Sequence, residues 1–132
     1  MIAVDTNVLV RYFIADDLTQ SRKVDALLAQ TRHAGTRLHI DDVVLCELVW
    51  VLGYGYGFDK ATIADALDRI LNTAHFSFVD RELLRQALVD YLAGSGDFPD
   101  YVIGRRNKRA KCEATVTFDR GLRDDPSFRQ LS

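Results

Sequence analysis

The segment "MIAVDTN" (residues 1–7) decides the fold, because it is a short apolar run that stops at Asp5. The segment "TVTFDRG" (residues 115–121) repeats this pattern near the other end of the chain, where a β-branched and aromatic run stops at Asp119. Both runs predict short strands. An acid directly after a strand is often the N-cap of the next helix. In open parallel α/β sheets, however, ligands bind beyond the carboxyl ends of strands, so both acids are also candidate site residues.

The length and composition predict one globular domain over residues 1–132. Hydrophobic residues make up 48% of the chain and charged residues 27%, which is typical of a protein with a substantial core. No apolar stretch is long enough to cross a bilayer, and the N-terminus lacks the features of a signal peptide. We therefore expect no membrane association and a cytoplasmic location. The net charge of −2 argues against bulk electrostatic binding of nucleic acid, although "RRNKRAK" (105–111) forms a local basic patch.

Apolar strands alternate with amphipathic helices along the whole chain. Because the strands are apolar throughout rather than alternating, they predict a parallel sheet covered on both faces, and hence an α/β fold. The tail after the last predicted strand is expected to be irregular or a short helix. The predicted strands are 2–4, 37–40, 76–79 and 114–118, and the predicted helices are 8–14, 16–33, 41–57, 59–73, 80–94 and 96–111.

Several other acidic residues stand where a helix cap is expected. Asp41, Asp42 and Asp80 are interpreted as caps. Glu47 is different, because a helical wheel surrounds it with apolar residues such as Trp50. A carboxylate in an apolar setting is costly unless it is paired or neutralised. It could form a salt bridge, reach the surface, or share a cation with Asp5 and Asp119.

Asp97 and Asp100 lie three positions apart at the start of a predicted helix. This spacing is typical of a capping box, but it could also direct one acid toward a metal ion. The cysteines and histidines have no ligand spacing, so the cluster is composed of carboxylates. Carboxylate oxygens suit a hard cation such as Mg²⁺ or Mn²⁺. Metal-assisted phosphodiester hydrolysis is the chemistry that such a cluster favours.

Four motifs together resemble those of PIN-domain proteins, and most closely the VapC-type toxins of bacterial type II toxin–antitoxin modules. This resemblance implies a three-layer α/β/α, PIN-like (Rossmann-like) fold with a central parallel sheet of four to five strands. It also implies a Mg²⁺- or Mn²⁺-dependent endoribonuclease, a homodimer, and a cognate VapB-like antitoxin whose C-terminal segment occupies the active-site groove. The motifs are "AVDTNVLVR" (3–11), "ELVWVL" (47–52), "DFPDYVIG" (97–104) and "TFDRGL" (117–122).

The resemblance also implies roles for individual residues. Asp5, Glu47, Asp100 and Asp119 match the four catalytic acids of the family, and Asp97 matches an additional acid of one subgroup. In this interpretation Asp5, Asp100 and Asp119 lie closest to the metal, directly or through water, and Asp97 can share it. Glu47 positions a water molecule and can accept its proton.

Neighbouring polar residues are predicted to support this site. Thr6 and Asn7 could hydrogen-bond a ligand carboxylate or the water, although helix capping explains them equally well. A phosphate-binding role for nearby cations would offset the repulsion between RNA and the acids. The alternative is a solvated helix end where cations suit the dipole. These cations are Arg11, Arg105, Arg106 and Arg109.

Three other functions were weighed against the nuclease. A phosphoacceptor receiver domain would have an acid pair after its first strand and leaves Glu47 unexplained. A phosphatase of the haloacid dehalogenase type would have Asp-x-Asp at the first strand end, where residues 5–7 read Asp-Thr-Asn. A PIN-like domain that mainly binds or regulates RNA is the remaining alternative, but the chain lacks none of the four acids.

Overall fold

The structure is a computed structural model that describes residues 1–131. Contacts between residues divide the chain into two compact units, one spanning Met1–Val79 and the other beginning at Asp80. Each unit contains its own parallel sheet and its own helices. The prediction of a single domain stays a prediction.

Unit 1 contains a three-stranded parallel sheet in the order β1-β2-β3. Ile2 pairs with Leu38, which in turn pairs with Phe76. The helices of this unit place their apolar stripes inward, so that Leu9 of α1 and Leu67 of α4 are at most 1% exposed. The elements are β1 (Ile2–Ala3), α1 (Thr6–Phe13), α2 (Leu18–His33), β2 (Leu38–His39), α3 (Asp42–Trp50), a π-helical turn (Val51–Gly55), α4 (Lys60–Leu71) and β3 (Phe76–Ser77).

Unit 2 combines two packed helices with a two-stranded parallel sheet. Arg105 ties the helices together, because its guanidinium forms two hydrogen bonds of 2.7 and 2.8 Å with the Asp90 carboxylate. Arg109 forms a second ion pair with Asp80. The elements are α5 (Arg81–Ala93), α6 (Phe98–Arg109), β4 (Thr115–Thr117), a 3₁₀ turn (Arg120–Leu122) and β5 (Phe128–Gln130).

Every α-helix in residues 1–131 begins after an aspartate whose side chain accepts a hydrogen bond from a backbone N–H of the first turn. The 3₁₀ turn begins in the same way. Such a cap satisfies one of the N–H groups that a helix start leaves without a partner, and it stabilises the helix by about 1 kcal/mol. The caps are Asp5, Asp17, Asp41, Asp59, Asp80, Asp97 and, for the 3₁₀ turn, Asp119.

The α/β class with parallel strands is confirmed, and the strand count of five lies within the predicted range. The strands have only two or three residues each, and their hydrogen bonds define two separate sheets. The expectation of strands buried on both faces is wrong for β1 and β4, because Ile2 is 57% exposed and Val116 is 47% exposed.

Two predicted segments differ in the structure. The predicted helix 41–57 ends as an α-helix at Trp50 and continues as a π-helical turn, where Gly53 and Gly55 weaken helix propensity. The predicted irregular tail contains β5, a strand whose pairing with β4 compensates for its single apolar residue, Phe128. No helix within residues 1–131 is long and apolar enough to cross a membrane.

We expect Gly104→Ala to destabilise the protein by about 1 kcal/mol. A Cβ atom at Gly104 would lie 2.8 Å from Cε2 of Phe128, and the strain exceeds the helix propensity that alanine gains. Phe128→Leu removes the clashing ring atoms and should relieve the strain in the double mutant. Chemical denaturation of the wild type, the two single mutants and the double mutant measures this coupling.

Gly55→Ala is the matched control for this substitution. A Cβ atom there would meet Val51 at an ordinary 3.7 Å, and the φ angle of Gly55 is not positive. Its stability should equal or exceed that of the wild type. A loss at Gly55 as large as that at Gly104 would contradict the steric explanation.

Candidate active site

Asp5 lies between β1 and the first turn of α1. Its Oδ1 atom accepts a hydrogen bond of 3.2 Å from the Val8 N–H, and the side chain is exposed. Thr6 begins the helix and is buried, whereas Asn7 is exposed. Asp5 is therefore a helix cap that also faces solvent, and its Oδ2 atom has no hydrogen bond within residues 1–131.

Glu47 lies in the middle of α3 and is exposed. The helical wheel identified its apolar neighbours correctly, and of the three alternatives left open for Glu47 the structure shows a carboxylate that reaches the surface. Trp50 is 63% exposed and Tyr54 is 78% exposed, and their rings lie 5.7 Å apart. The core is formed instead by the opposite face, which includes Leu45 and Leu48. Glu47 is thus a solvent-accessible carboxylate on an apolar surface.

Asp97 and Asp100 form the predicted capping box at the start of α6. Oδ1 of Asp97 accepts from the Phe98 N–H at 3.2 Å, and Oδ2 of Asp100 accepts from the Asp97 N–H at 3.0 Å. Pro99 follows Phe98 within the first turn, where its missing N–H removes no helical hydrogen bond. The capping interpretation is confirmed, but it does not exclude a second role, because Oδ1 of Asp100 makes no hydrogen bond within residues 1–131.

Asp119 follows β4 and begins the 3₁₀ turn. Its Oδ1 atom accepts from the Gly121 N–H at 2.8 Å. Its backbone is held on both sides, by the Thr117 hydroxyl at 3.0 Å and by the Gln130 amide at 2.8 Å. Pairing of β4 with β5 therefore positions this carboxylate, whose Oδ2 atom makes no hydrogen bond within the described chain.

The three carboxylates of unit 2 interact electrostatically. Burial raises the pKa of Asp100, and the negative charges of Asp119 and Asp97 raise it further, against a lowering by the hydrogen bond from the Asp97 N–H. The fold therefore holds the ionised form of Asp100 at a cost in free energy. Ionisable groups whose pKa values are shifted by burial and neighbouring charges are enriched at functional sites.

The donor set fits a hard cation in its chemistry, because it consists of carboxylate oxygens. Within residues 1–131, however, no group of three or more His, Cys, Asp or Glu side chains is arranged to hold a metal ion. In Asp5, Asp100 and Asp119, one carboxylate oxygen accepts a hydrogen bond from a backbone N–H. Each of Asp5, Asp100 and Asp119 has a second oxygen that is not occupied in this way.

Comparison with known proteins identifies the family. The sequence profile of the PIN domain matches residues 2–124, which is nearly the whole chain and includes parts of both units. The chain belongs to the PIN domain family. All five acids predicted for the site lie within the matched region.

A curated relative of this PIN domain is the VapC ribonuclease of Aquifex aeolicus (strain VF5). It is 25% identical over 116 residues, which cover 88% of this chain and 85% of the relative. The similarity therefore extends over most of both proteins.

The cations predicted to bind phosphate already have partners in this PIN domain. Arg11 contacts Asp16 at 2.7 Å and Gln20 at 2.7 Å. Arg105 and Arg109 form the ion pairs of unit 2 described above. The fourth, Arg106, lies on an exposed position of α6 and also interacts within the chain. The contacts of the first three are those of structural cations.

The partners that hold these arginines are not apparent from the sequence. Tyr56 contributes to the same network as Arg11, because its hydroxyl donates to Asp16 at 2.9 Å. Asp90 pairs with Arg105 across fifteen positions of sequence. No local pattern marks such contacts, because they depend on how the helices pack.

We expect Asp100→Asn to raise the melting temperature of the metal-free protein at pH 7. The substitution removes a charge that burial and two neighbouring carboxylates disfavour, while asparagine keeps an oxygen that can accept the Asp97 N–H. The difference in melting temperature from the wild type should disappear as the pH falls below the ordinary pKa of an aspartate. Below that pH, Asp100 of the wild type is protonated in both the folded and the unfolded protein. Thermal unfolding in EDTA across this pH range measures the effect.

Asp59→Asn is the matched control at an N-cap. Hydrogen bonds from the Thr62 side chain and backbone lower the pKa of Asp59, so its charge is favoured in the folded protein. This variant should melt at a lower temperature than the wild type at pH 7, and the difference should shrink on acidification. Equal destabilisation by the two substitutions would contradict the account of Asp100.

We expect Arg105→Gln to destabilise the protein by about 1–2 kcal/mol, because it leaves the largely buried Asp90 carboxylate without its cation. Arg123→Gln removes the same charge from an exposed position and should have little effect. Denaturant titrations of both variants provide the measurement. Unchanged stability in Arg105→Gln would contradict a structural role for this ion pair, and Arg105 would then be available to bind phosphate.

Proposed function

We propose that this PIN domain is a divalent-metal-dependent endoribonuclease and the toxin of a type II toxin–antitoxin module. Family membership and the similarity to a VapC ribonuclease support the nuclease assignment. The observation that supports it within unit 2 is that Asp97, Asp100 and Asp119 lie close enough for the charges of Asp119 and Asp97 to raise the pKa of Asp100, in addition to the effect of burial. A bound cation would offset this repulsion.

The proposed ligands of Mg²⁺ or Mn²⁺ are the carboxylates of Asp5, Asp97, Asp100 and Asp119. When bound, the cation activates water and neutralises charge on the scissile phosphate. The exposed carboxylate of Glu47 orients the attacking water and accepts its proton. Attack by water on phosphorus produces 5′-phosphate and 3′-hydroxyl ends.

Residues next to the acids have supporting roles in this proposal. The Asn7 amide is exposed and can hydrogen-bond a ligand carboxylate or the water, whereas buried Thr6 fixes the start of α1. Arg11, Arg105 and Arg109 contribute positive potential near the substrate, and an RNA phosphate would compete with their aspartate partners. Arg106 completes the predicted set of cations.

The proposal includes the partners that the family resemblance implies. These are an RNA substrate, a VapB-like antitoxin and a second copy of the chain, all in the cytoplasm. The exposed apolar residues of α3 and the π-helical turn, Val43, Trp50 and Tyr54, support a protein interface, because such a patch is costly to leave in water.

We expect Asp5→Asn to lower the rate of RNA cleavage by at least about a hundredfold, because it weakens a metal ligand while preserving a capping oxygen. The substrate is total RNA incubated with Mg²⁺ or Mn²⁺, and sequencing of the cut ends gives the products. EDTA should abolish cleavage by the wild type. The cut ends should carry 5′-phosphates.

Asp17→Asn is the control, because Asp17 caps α2 as Asp5 caps α1 but belongs to no proposed ligand set. This variant should cleave at the wild-type rate. Cleavage by Asp5→Asn at the wild-type rate, or cleavage that persists in EDTA, would refute the mechanism. Tight RNA binding without cleavage would favour the alternative of a PIN-like binding domain.

A further inference from the structure

A groove of about 300 Å³ lies beside Asp5 in unit 1. Asp5 and residues of α1 and α2 line it, including the apolar residues Val8 and Val24. The groove therefore combines apolar and polar lining residues. These polar residues are Asp5, Asn7, Arg11, Gln20 and Lys23.

The two cations of the groove differ in their contacts with neighbouring residues. The Nη1 atom of Arg11 contacts Asp16 at 2.7 Å, and its Nε atom donates to Gln20 at 2.7 Å. Lys23 is exposed and has no hydrogen bond or ion pair with any residue of the described chain, 1–131. Lys23 is thus the groove cation whose charge is available to a ligand.

The positive charge of Lys23 indicates that the groove binds an anionic ligand. An ammonium group on a flexible stem is a compact point charge that suits a phosphate oxygen. The exposed amide of Asn7 lines the same groove and adds hydrogen-bond donors for a phosphate or a ribose hydroxyl. The two valines that line the groove provide an apolar surface against which a sugar can pack.

We propose that this groove is an RNA-backbone subsite in which Lys23 binds a phosphate next to the scissile one. The inference rests on the proposed nuclease function and adds a substrate-binding residue to it. Because Arg11 is held by Asp16 and Gln20, Lys23 makes the direct phosphate contact in this groove, and Arg11 contributes positive potential beside it. Backbone contacts of this kind position a nucleic acid without reading its sequence.

The test measures binding of a fluorescently labelled 12-nucleotide RNA of random sequence in EDTA, where no cleavage is expected. We expect Lys23→Gln to make the slope of log affinity against log salt shallower by about 0.7, the value for one contact with a single strand. At 0.1 M salt this slope corresponds to about a fivefold loss of affinity. Lys23→Arg should restore both values.

Arg22→Gln is the matched control, because Arg22 is the preceding residue of α2, is equally exposed and does not line the groove. It removes the same charge and should leave the salt slope unchanged. In Mg²⁺, Lys23→Gln should raise KM for cleavage with little change in kcat, because the contact is made equally in the bound substrate and in the transition state.

The outcomes separate the subsite from the nuclease function. If the wild type cleaves RNA but Lys23→Gln and Arg22→Gln lower affinity equally, the subsite is refuted and the nuclease function stands. If the wild type neither binds nor cleaves RNA, the proposed function fails and the subsite fails with it. A changed slope in Lys23→Gln alone, together with rescue by Lys23→Arg, supports the subsite.

Discussion

The hydrogen bond between an aspartate carboxylate and the backbone N–H groups of a helix start is the interaction on which this structure depends. The strands have two or three residues each, so they contribute few hydrogen bonds. After each of the first four strands, an aspartate marks where the next helix or 3₁₀ turn begins. A carboxylate at that position both satisfies a backbone donor and matches the positive end of the helix dipole.

This capping also explains how the proposed site acids are held. A carboxylate has two oxygens, and a cap needs only one of them. Asp5, Asp100 and Asp119 each use one oxygen for a backbone N–H and have a second that makes no hydrogen bond within residues 1–131. Ordinary caps and proposed ligands therefore share one local geometry. They differ in their surroundings, as the opposite pKa shifts of Asp59 and Asp100 illustrate.

Local patterns predicted the parts of the fold that local interactions determine. Each predicted helix is present, because apolar periodicity and an aspartate cap act within a few residues. Strand β5 was missed because "FRQ" (128–130) has one apolar residue and depends on pairing with β4. The π-helical turn was missed for a similar reason, since glycines predict a weak helix but not its hydrogen-bond register.

The candidate site could be predicted in its residues but not in its environment. A helical wheel gives the neighbours of Glu47 but not which face of α3 packs inward, so the sequence left open whether this carboxylate is paired, reaches the surface or shares a cation. The motif that carries Asp97 and Asp100 predicted their capping box. The partners of Arg11 and Arg105 depend on helix packing, so a sequence pattern cannot distinguish a structural cation from one that is free to bind RNA.

The central claim is that selected caps share one divalent ion, and paramagnetic broadening by Mn²⁺ tests it most directly. Assigned backbone amide signals of the full chain are followed by NMR as Mn²⁺ is added below one equivalent. The account predicts early, simultaneous broadening of the N–H signals of Val8, Asp97 and Gly121, which donate to Asp5, Asp100 and Asp119. The N–H signal of Thr62, at the ordinary cap Asp59, should stay sharp. Equal broadening at all four amides, or broadening at Val8 without Gly121, would contradict a shared ion.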